Sequence, residues 1–323
     1  MSETLPASGA THLIARHAAS AVWLSRYMER IENLARLLDV TKTFAHDDRD
    51  WLLLLRINGD MTAFFRRYRK AGHDSVARFY LLDEDNPTSV QAAIASAREN
   101  ARTLRALIST EMWLQLNVFN SRIRALTEAD LAADRLSMIC SMLKEGTQAH
   151  TGIAEGTFYR DQAWHFTMIG RYLERADQTT RLLDTGFSRM APYAGAGDGE
   201  IDAGEWHTLL RAAAGYHAYR RVHPHGYRPN EVAGFLLVDT AFPRSVNLNL
   251  SQLEWHLTQL RLRYHLRGTV AALERVENLC ATLTYAAVND LVSRGLSPYL
   301  DWVQREIGLL HADIMRGLCG GAT

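Results

Sequence analysis

Apolar residues recur at three- and four-residue spacing along almost the whole chain, and nowhere alternate in the two-residue rhythm of a half-buried strand. That spacing predicts helices over 14–45, 49–70, 88–109, 110–125, 128–152, 161–189, 204–221, 244–267, 269–293 and 298–317. Pro87, Pro192, Pro224, Pro229, Pro243 and Pro298 fall at the boundaries of these segments. Thr88 and Ser89 are expected N-caps after Pro87, and Asp161 for its own helix, because their oxygens can accept from the free N–H groups of a first turn. The expected fold class is all-α, as two helical bundles packed side by side.

The first helix divides into two arcs when wound at about 100° per residue. Trp23, Leu24, Tyr27, Ile31, Leu34 and Leu38 form the apolar side, and Arg26, Glu29, Arg30, Asn33 and Arg36 the polar side. The segment near 161–189 repeats the division, with Met168, Tyr172, Ala176 and Leu183 opposite Arg171, Glu174, Arg175, Gln178 and Arg181. The likeness extends to identities: RYMERIENLARLLD (26–39) and RYLERADQTTRLLD (171–184) agree at eight of fourteen positions. Trp51–Arg56 then aligns with Trp206–Arg211, Val76–Asp83 with Val232–Asp239, and Pro87, Ser89 and Val90 with Pro243, Ser245 and Val246. The extra length of the second half falls in a Gly-, Pro- and Asp-rich stretch, 191–204, expected to be a surface loop. One domain over 13–319 follows, built from related halves at 14–130 and 159–318 with a pseudo-twofold relation, after a flexible tail at 1–12.

Within each polar stripe, Glu32–Arg36 and Asp177–Arg181 have favourable i,i+4 spacing, and Arg26–Glu29 and Arg171–Glu174 are i,i+3. In solvent such pairs contribute only a few tenths of a kcal/mol, too little to account for the same charged residues in both halves. Two explanations stand. The stripes form a partly buried ion-pair network between the halves, or they converge on a cleft for a charged ligand, where arginine forks suit carboxylates and phosphates. The candidate binding residues are Arg26, Glu29, Arg30 and Arg36 in the first half and Arg171, Glu174, Arg175 and Arg181 in the second. Glu99 and Arg102 join them from the helix after Pro87, which also carries Arg98 and Arg105 ahead of Glu111, Trp113 and Asn117. Glu274-Arg275 is a further Glu-Arg pair outside the aligned halves.

Composition adds exclusions. Lys+Arg and Asp+Glu are 36 each, so net charge gives no reason to expect nucleic acid. The basic run Arg66–Lys70 reads as a solvated helix end. The longest apolar run, Trp51–Leu55, is far short of the ~18 residues of a membrane span. Cys140, Cys280 and Cys319 include no CxxC pair, and a cytoplasmic location is expected. His223-Pro-His225 has metal-like spacing but no nearby acid or cysteine partner. His46-Asp47-Asp48 reads as a helix-end cap cluster, and His150 and His165 as isolated histidines. No P-loop, dinucleotide-binding or GxSxG motif occurs, and no cofactor or metal is expected.

Taken together, Trp23–Asn33, Arg98–Arg102, Glu111-Met-Trp113 with Asn117, Gly156–Asp161, Gly170–Asp177 and Pro243–Val246 resemble the Alpha-E family, bacterial α-helical domains named for an ER motif. Met28 and Ile31 depart from the more usual Leu and Ala without touching the charged stripe. The resemblance implies a companion of circularly permuted ATP-grasp ligases and of transglutaminase-like or proteasome-like peptidases, in making or attaching a peptide. It brings no catalytic assignment. The function expected is therefore an accessory component that binds the ligase or a charged peptide through paired ER faces. The alternatives are an enzyme of amide-bond formation or acyl transfer with a Glu/Arg site, and a plain scaffold.

Overall fold

The computed structural model describes residues 13–190 and 203–320. The tail expected at 1–12 lies outside them, as does the loop expected at 191–204 save for its last two residues. Among the described residues there are fifteen α-helices and no strand. The first seven are α1 (Ala15–Phe44), α2 (Asp48–Asn58), α3 (Met61–Phe65), α4 (His73–Leu81), α5 (Val90–Thr103), α6 (Thr110–Arg124) and α7 (Leu136–Thr157). After α8 (Gln162–Met190) come α9 (Ala203–Ala212), α10 (Tyr216–Val222), α11 (Pro229–Leu237), α12 (Val246–Tyr264), α13 (Val270–Thr282), α14 (Tyr285–Arg294) and α15 (Ser297–Leu318).

The helices begin where the sequence supplies a side-chain acceptor. Ser89 accepts from the Ala92 N–H, Ser245 from Leu248, and Asp161 from Ala163. Asp47 caps α2, and Asp50 reaches back to the Asp47 and His46 N–H groups in a capping box. Thr88, expected as a cap, turns away to Asp60 instead.

Three expected helices are broken. The segment 49–70 divides into α2 and α3 because Gly59 adopts the left-handed conformation, with φ 73°, that glycine tolerates best. The segment 204–221 divides into α9 and α10 where Ala214 takes a positive φ, and 269–293 divides after Thr282. The first turn of 128–152 is a separate 3₁₀ turn, Glu128–Leu131. Helices α4 and α11 were not expected, although their residues belong to the aligned segments Val76–Asp83 and Val232–Asp239.

The architecture is organised by α1 and α8, which pack along each other near the middle of the molecule. Helix α1 also carries α5 and α7, while α8 carries α12 and α15. Each central helix is therefore covered on more than one side. Arg26, Glu29 and Asn33 of α1 are at most 9% exposed, nearly as buried as its leucines, and this part of the polar arc does not face bulk water. The close approach depends on Gly170. A Cβ there would lie 2.2 Å from the Val22 carbonyl oxygen and 2.3 Å from the Ser25 Oγ. Gly170→Ala should push the helices apart and lower stability by about 1–3 kcal/mol. A denaturation midpoint unchanged by this substitution, followed by circular dichroism, would contradict this packing.

Candidate functional site

Residues three and four apart share one helix face, so Arg26, Glu29 and Arg30 form one stripe on α1 and Arg171, Glu174 and Arg175 another on α8. The helices run in the same direction, since Leu13 just before α1 donates to Gln162 at the start of α8 and their C-terminal ends share a cavity wall, so the stripes lie in register and each glutamate faces arginines of the other helix. Arg26 Nε donates to Glu174 Oε2 at 2.7 Å, and Arg30 Nε to Glu174 Oε1 at 2.6 Å. In return, Arg175 Nε donates to Glu29 Oε2 at 2.9 Å, with its Nη2 2.8 Å from Oε1. Arg171 stands 3.7 Å from Glu29 and turns its Nη1 to Glu155 of α7 at 3.2 Å. Glu29 is 3% exposed and Glu174 1%.

Of the local pairs expected, Arg36–Glu32 (2.7 Å) and Arg181–Asp177 (2.9 Å) form. The i,i+3 pairs Arg26–Glu29 and Arg171–Glu174 do not. Their side chains reach across the crossing, where lower local dielectric strengthens a charge-assisted hydrogen bond and each glutamate can engage two guanidinium groups.

Arg244, in the turn before α12, completes one end of the network. It donates through Nη2 to Glu32 at 2.6 Å and through Nη1 to Asn33 at 2.7 Å, and it lies 3.9 Å from Glu29. Thr179 of α8 donates to its backbone carbonyl at 2.8 Å. Neither Arg244 nor Glu155 was singled out from the sequence as a site residue. The only signal for Arg244 was its place in Pro243-Arg244-Ser245-Val246, and Glu155 gave none.

Thr88 occupies the corresponding place before α5, between Pro87 and the cap Ser89. It brings no charge and donates to Asp60, which also accepts from the Tyr80 hydroxyl. The two ends of the network consequently differ in electrostatics. Burial acts to raise the Glu174 pKa, but Arg26 and Arg30 outweigh it and bring the carboxyl down to about 2. Burial likewise opposes the lowering of Glu32, which Arg244 and Arg36 achieve. Burial wins at Asp60, where only hydroxyls donate, and at Asp177 despite Arg181, and both carboxyls are raised. A carboxylate with a pKa near 2 is a poor general base at neutral pH. The network is built to hold charge in place. Its outer members Arg30 and Arg181 keep 34% and 36% of their side-chain surface in solvent.

Glu99 and Arg102 are not drawn into this network. They pair with each other at 2.5 Å on the exposed side of α5, with 59% and 67% of their side chains in solvent. Arg98 bonds Asn117 at 2.8 Å, and both Arg98 and Arg105 lie over the Trp113 ring. Arg275 of the further Glu-Arg pair binds Asp313 and Glu306 of α15. His165 does not stand alone, because its Nδ1 meets that of His256 at 2.9 Å in a buried aromatic setting. His150 bonds Gln115. Burial pushes the Cys140 thiol up to about 12, far from a thiolate nucleophile. Among the described residues, no group of three or more His, Cys, Asp or Glu side chains could hold a metal ion, and no helix is long and apolar enough to cross a membrane.

The helical architecture and the ER dipeptides agree with the family comparison. Residues 13–317 match the Alpha-E family, described as "a predicted alpha-helical domain with a conserved ER motif", and the chain belongs to that family. Uncharacterized proteins of Mycobacterium tuberculosis (strains H37Rv and CDC 1551) and Mycobacterium bovis are 27% identical over 266 residues. The match covers 74% of this chain but only 29% of those proteins, so the chain spans less than a third of their length. No solved structure matches the chain.

The Glu174 pKa makes a pH prediction. A carboxyl moved from 4.5 to about 2 on folding contributes about 3 kcal/mol at pH 7, since the native state binds fewer protons. That contribution is complete above pH 4.5 and is lost as pH falls towards 2. Asp60 and Asp177, whose shifts are upward, act with the opposite sign. Glu174→Gln should therefore cost about 3 kcal/mol or more at pH 7 and much less near pH 2, as read from urea midpoints across the pH range. A cost independent of pH would refute the assignment.

Proposed function

We propose that the chain is an accessory binding component of an ATP-grasp-linked system of peptide synthesis or peptide modification, acting in the cytoplasm and without independent catalysis. The observation that carries this reading is the closure of the ER network. Glu29 and Glu174, the residues best placed by sequence to act as bases, are each engaged by arginines from the opposite helix. Their charge is committed to joining α1 to α8, and what remains for a partner is the network's edge, where Arg30 and Arg181 reach solvent beside Gln178. The partner is assigned on family resemblance, as an ATP-grasp-type ligase, with transglutaminase-like or proteasome-like peptidases as further candidates. The much greater length of the mycobacterial relatives supports a domain that works beside other domains. The free state of Cys140, Cys280 and Cys319 supports a reducing compartment. The reciprocity of the ion pairs supports an origin of the two halves by duplication.

The closed network equally favours a plain scaffold, and one experiment separates the two. The chain would be co-purified with an ATP-grasp ligase from the same genome, and ATP-dependent amide formation measured with and without it. The proposal expects a stable complex and ligation that falls at least several-fold when the chain is withheld or when Arg30 and Arg181 are both changed to Ala. Absence of a complex together with unchanged ligation would refute it.

A further inference from the structure

The C-terminal halves of α1 and α8, with α2 and α9, line a partly open cavity of about 140 Å³. Its walls are largely aliphatic, including Leu53, Leu54 and Leu209. A cavity of this size lined by aliphatic side chains accommodates a group about as large as benzene. The charges at its rim are already matched, since Arg189 bridges Asp50 and Glu205. They leave little to orient a ligand.

A second space, of about 20 Å³, borders the first, sharing Leu37, Ile57, Leu182 and Ala212 as walls. Its remaining lining is polar: Asn33, Gln178, Thr179 and Arg244. This volume suits one oxygen atom of a water or ligand. Asn33 is 9% exposed, its Oδ1 is taken by Arg244, and its Nδ2 has no acceptor. Arg36 Nε, one turn along α1 but not itself a wall of the recess, is also buried without an acceptor. A buried donor left without an acceptor costs about 1–3 kcal/mol, so this polar recess is unfinished on the acceptor side. The charges agree. Arg171 is offset by Glu155, and the guanidinium groups of Arg36, Arg175 and Arg244 then face only the carboxylates of Glu29 and Glu32, leaving one positive charge over.

We propose that this paired space is a binding site for a small apolar carboxylate, with a branched or aromatic group in the aliphatic cavity and one carboxylate oxygen in the recess beside Asn33 and Arg244. The same chemistry is offered by a free short-chain acid and by the C-terminal residue of a peptide. The site is built from walls of the ER crossing but does not depend on the ligase assignment, so failure to find a ligase leaves it standing.

The test uses the full chain with two probes, 4-methylpentanoate and N-acetyl-leucine, and the neutral control 4-methylpentanamide, followed by methyl NMR. Binding of either acid should shift the methyl signals of Leu37, Ile57 and Leu182, and comparison of the two acids identifies the source of the carboxylate. The amide should bind about tenfold more weakly or worse. Ala212→Phe, which fills the shared wall, should abolish the shifts with helicity retained. If that variant does not fold, the wild-type shift map decides. Absence of binding by both acids at millimolar concentration would overturn the proposal. So would shifts elsewhere, equal affinity for the amide, or binding that survives in a folded Ala212→Phe variant.

Discussion

The structure depends on one exchange: arginines of α1 hold a glutamate of α8, and arginines of α8 hold a glutamate of α1. A parallel, in-register crossing makes this possible because each glutamate lies level with its counterpart on the other helix, between the arginines three residues before and one residue after that counterpart, so the same Arg-x-x-Glu-Arg spacing is complementary to itself. The charges are placed where leucines would ordinarily sit. Such burial is tolerable because each carboxylate receives two or more guanidinium donors, and desolvation of an ion is offset only by hydrogen bonds of good geometry. Gly170 belongs to the same constraint, since without its missing side chain the helices could not come close enough for these bonds to form.

The two ends of the network are finished differently. At one end Arg244 inserts and lowers the pKa of Glu32. At the other, Thr88 stands in the equivalent turn, and burial outweighs the compensation at Asp60 and, despite Arg181, at Asp177. The better-compensated end also borders the aliphatic cavity, and there the unmet demand is for an acceptor, at Asn33 and Arg36. Purely structural ion pairing needs neither a cavity nor orphan donors beside it, which is why the crossing reads as both a clasp and one wall of a ligand site.

The helical class was legible because the 3.6-residue period runs nearly unbroken, and α1, α8, α12 and α15 lie close to their expected bounds. Short helices were less legible. The breaks at Gly59 and Ala214 depend on single backbone conformations, and α4 and α11 are too short for their period to stand out. The charged stripe was legible as a set of residues, but its partners were not. Spacing alone favours i,i+3 neighbours, whereas the actual partners lie 144 to 148 residues away, across a crossing that a one-dimensional pattern does not show. Glu155 illustrates the limit, as one acid among many on an exposed helix face, drawn in only by the position of Arg171. Glu99 and Arg102 illustrate the converse, with the right residue types on a helix whose charged side faces water.

The most direct measurement is a double-mutant cycle on Glu29 and Arg175, the doubly bonded pair across the crossing. Folding stability would be compared for the wild type, Glu29→Gln, Arg175→Met and the double variant. The exchange of ion pairs predicts a coupling of about 2 kcal/mol or more between sites 146 residues apart in sequence. Additive effects, with no coupling beyond about 0.5 kcal/mol, would show that the two stripes do not hold the molecule together.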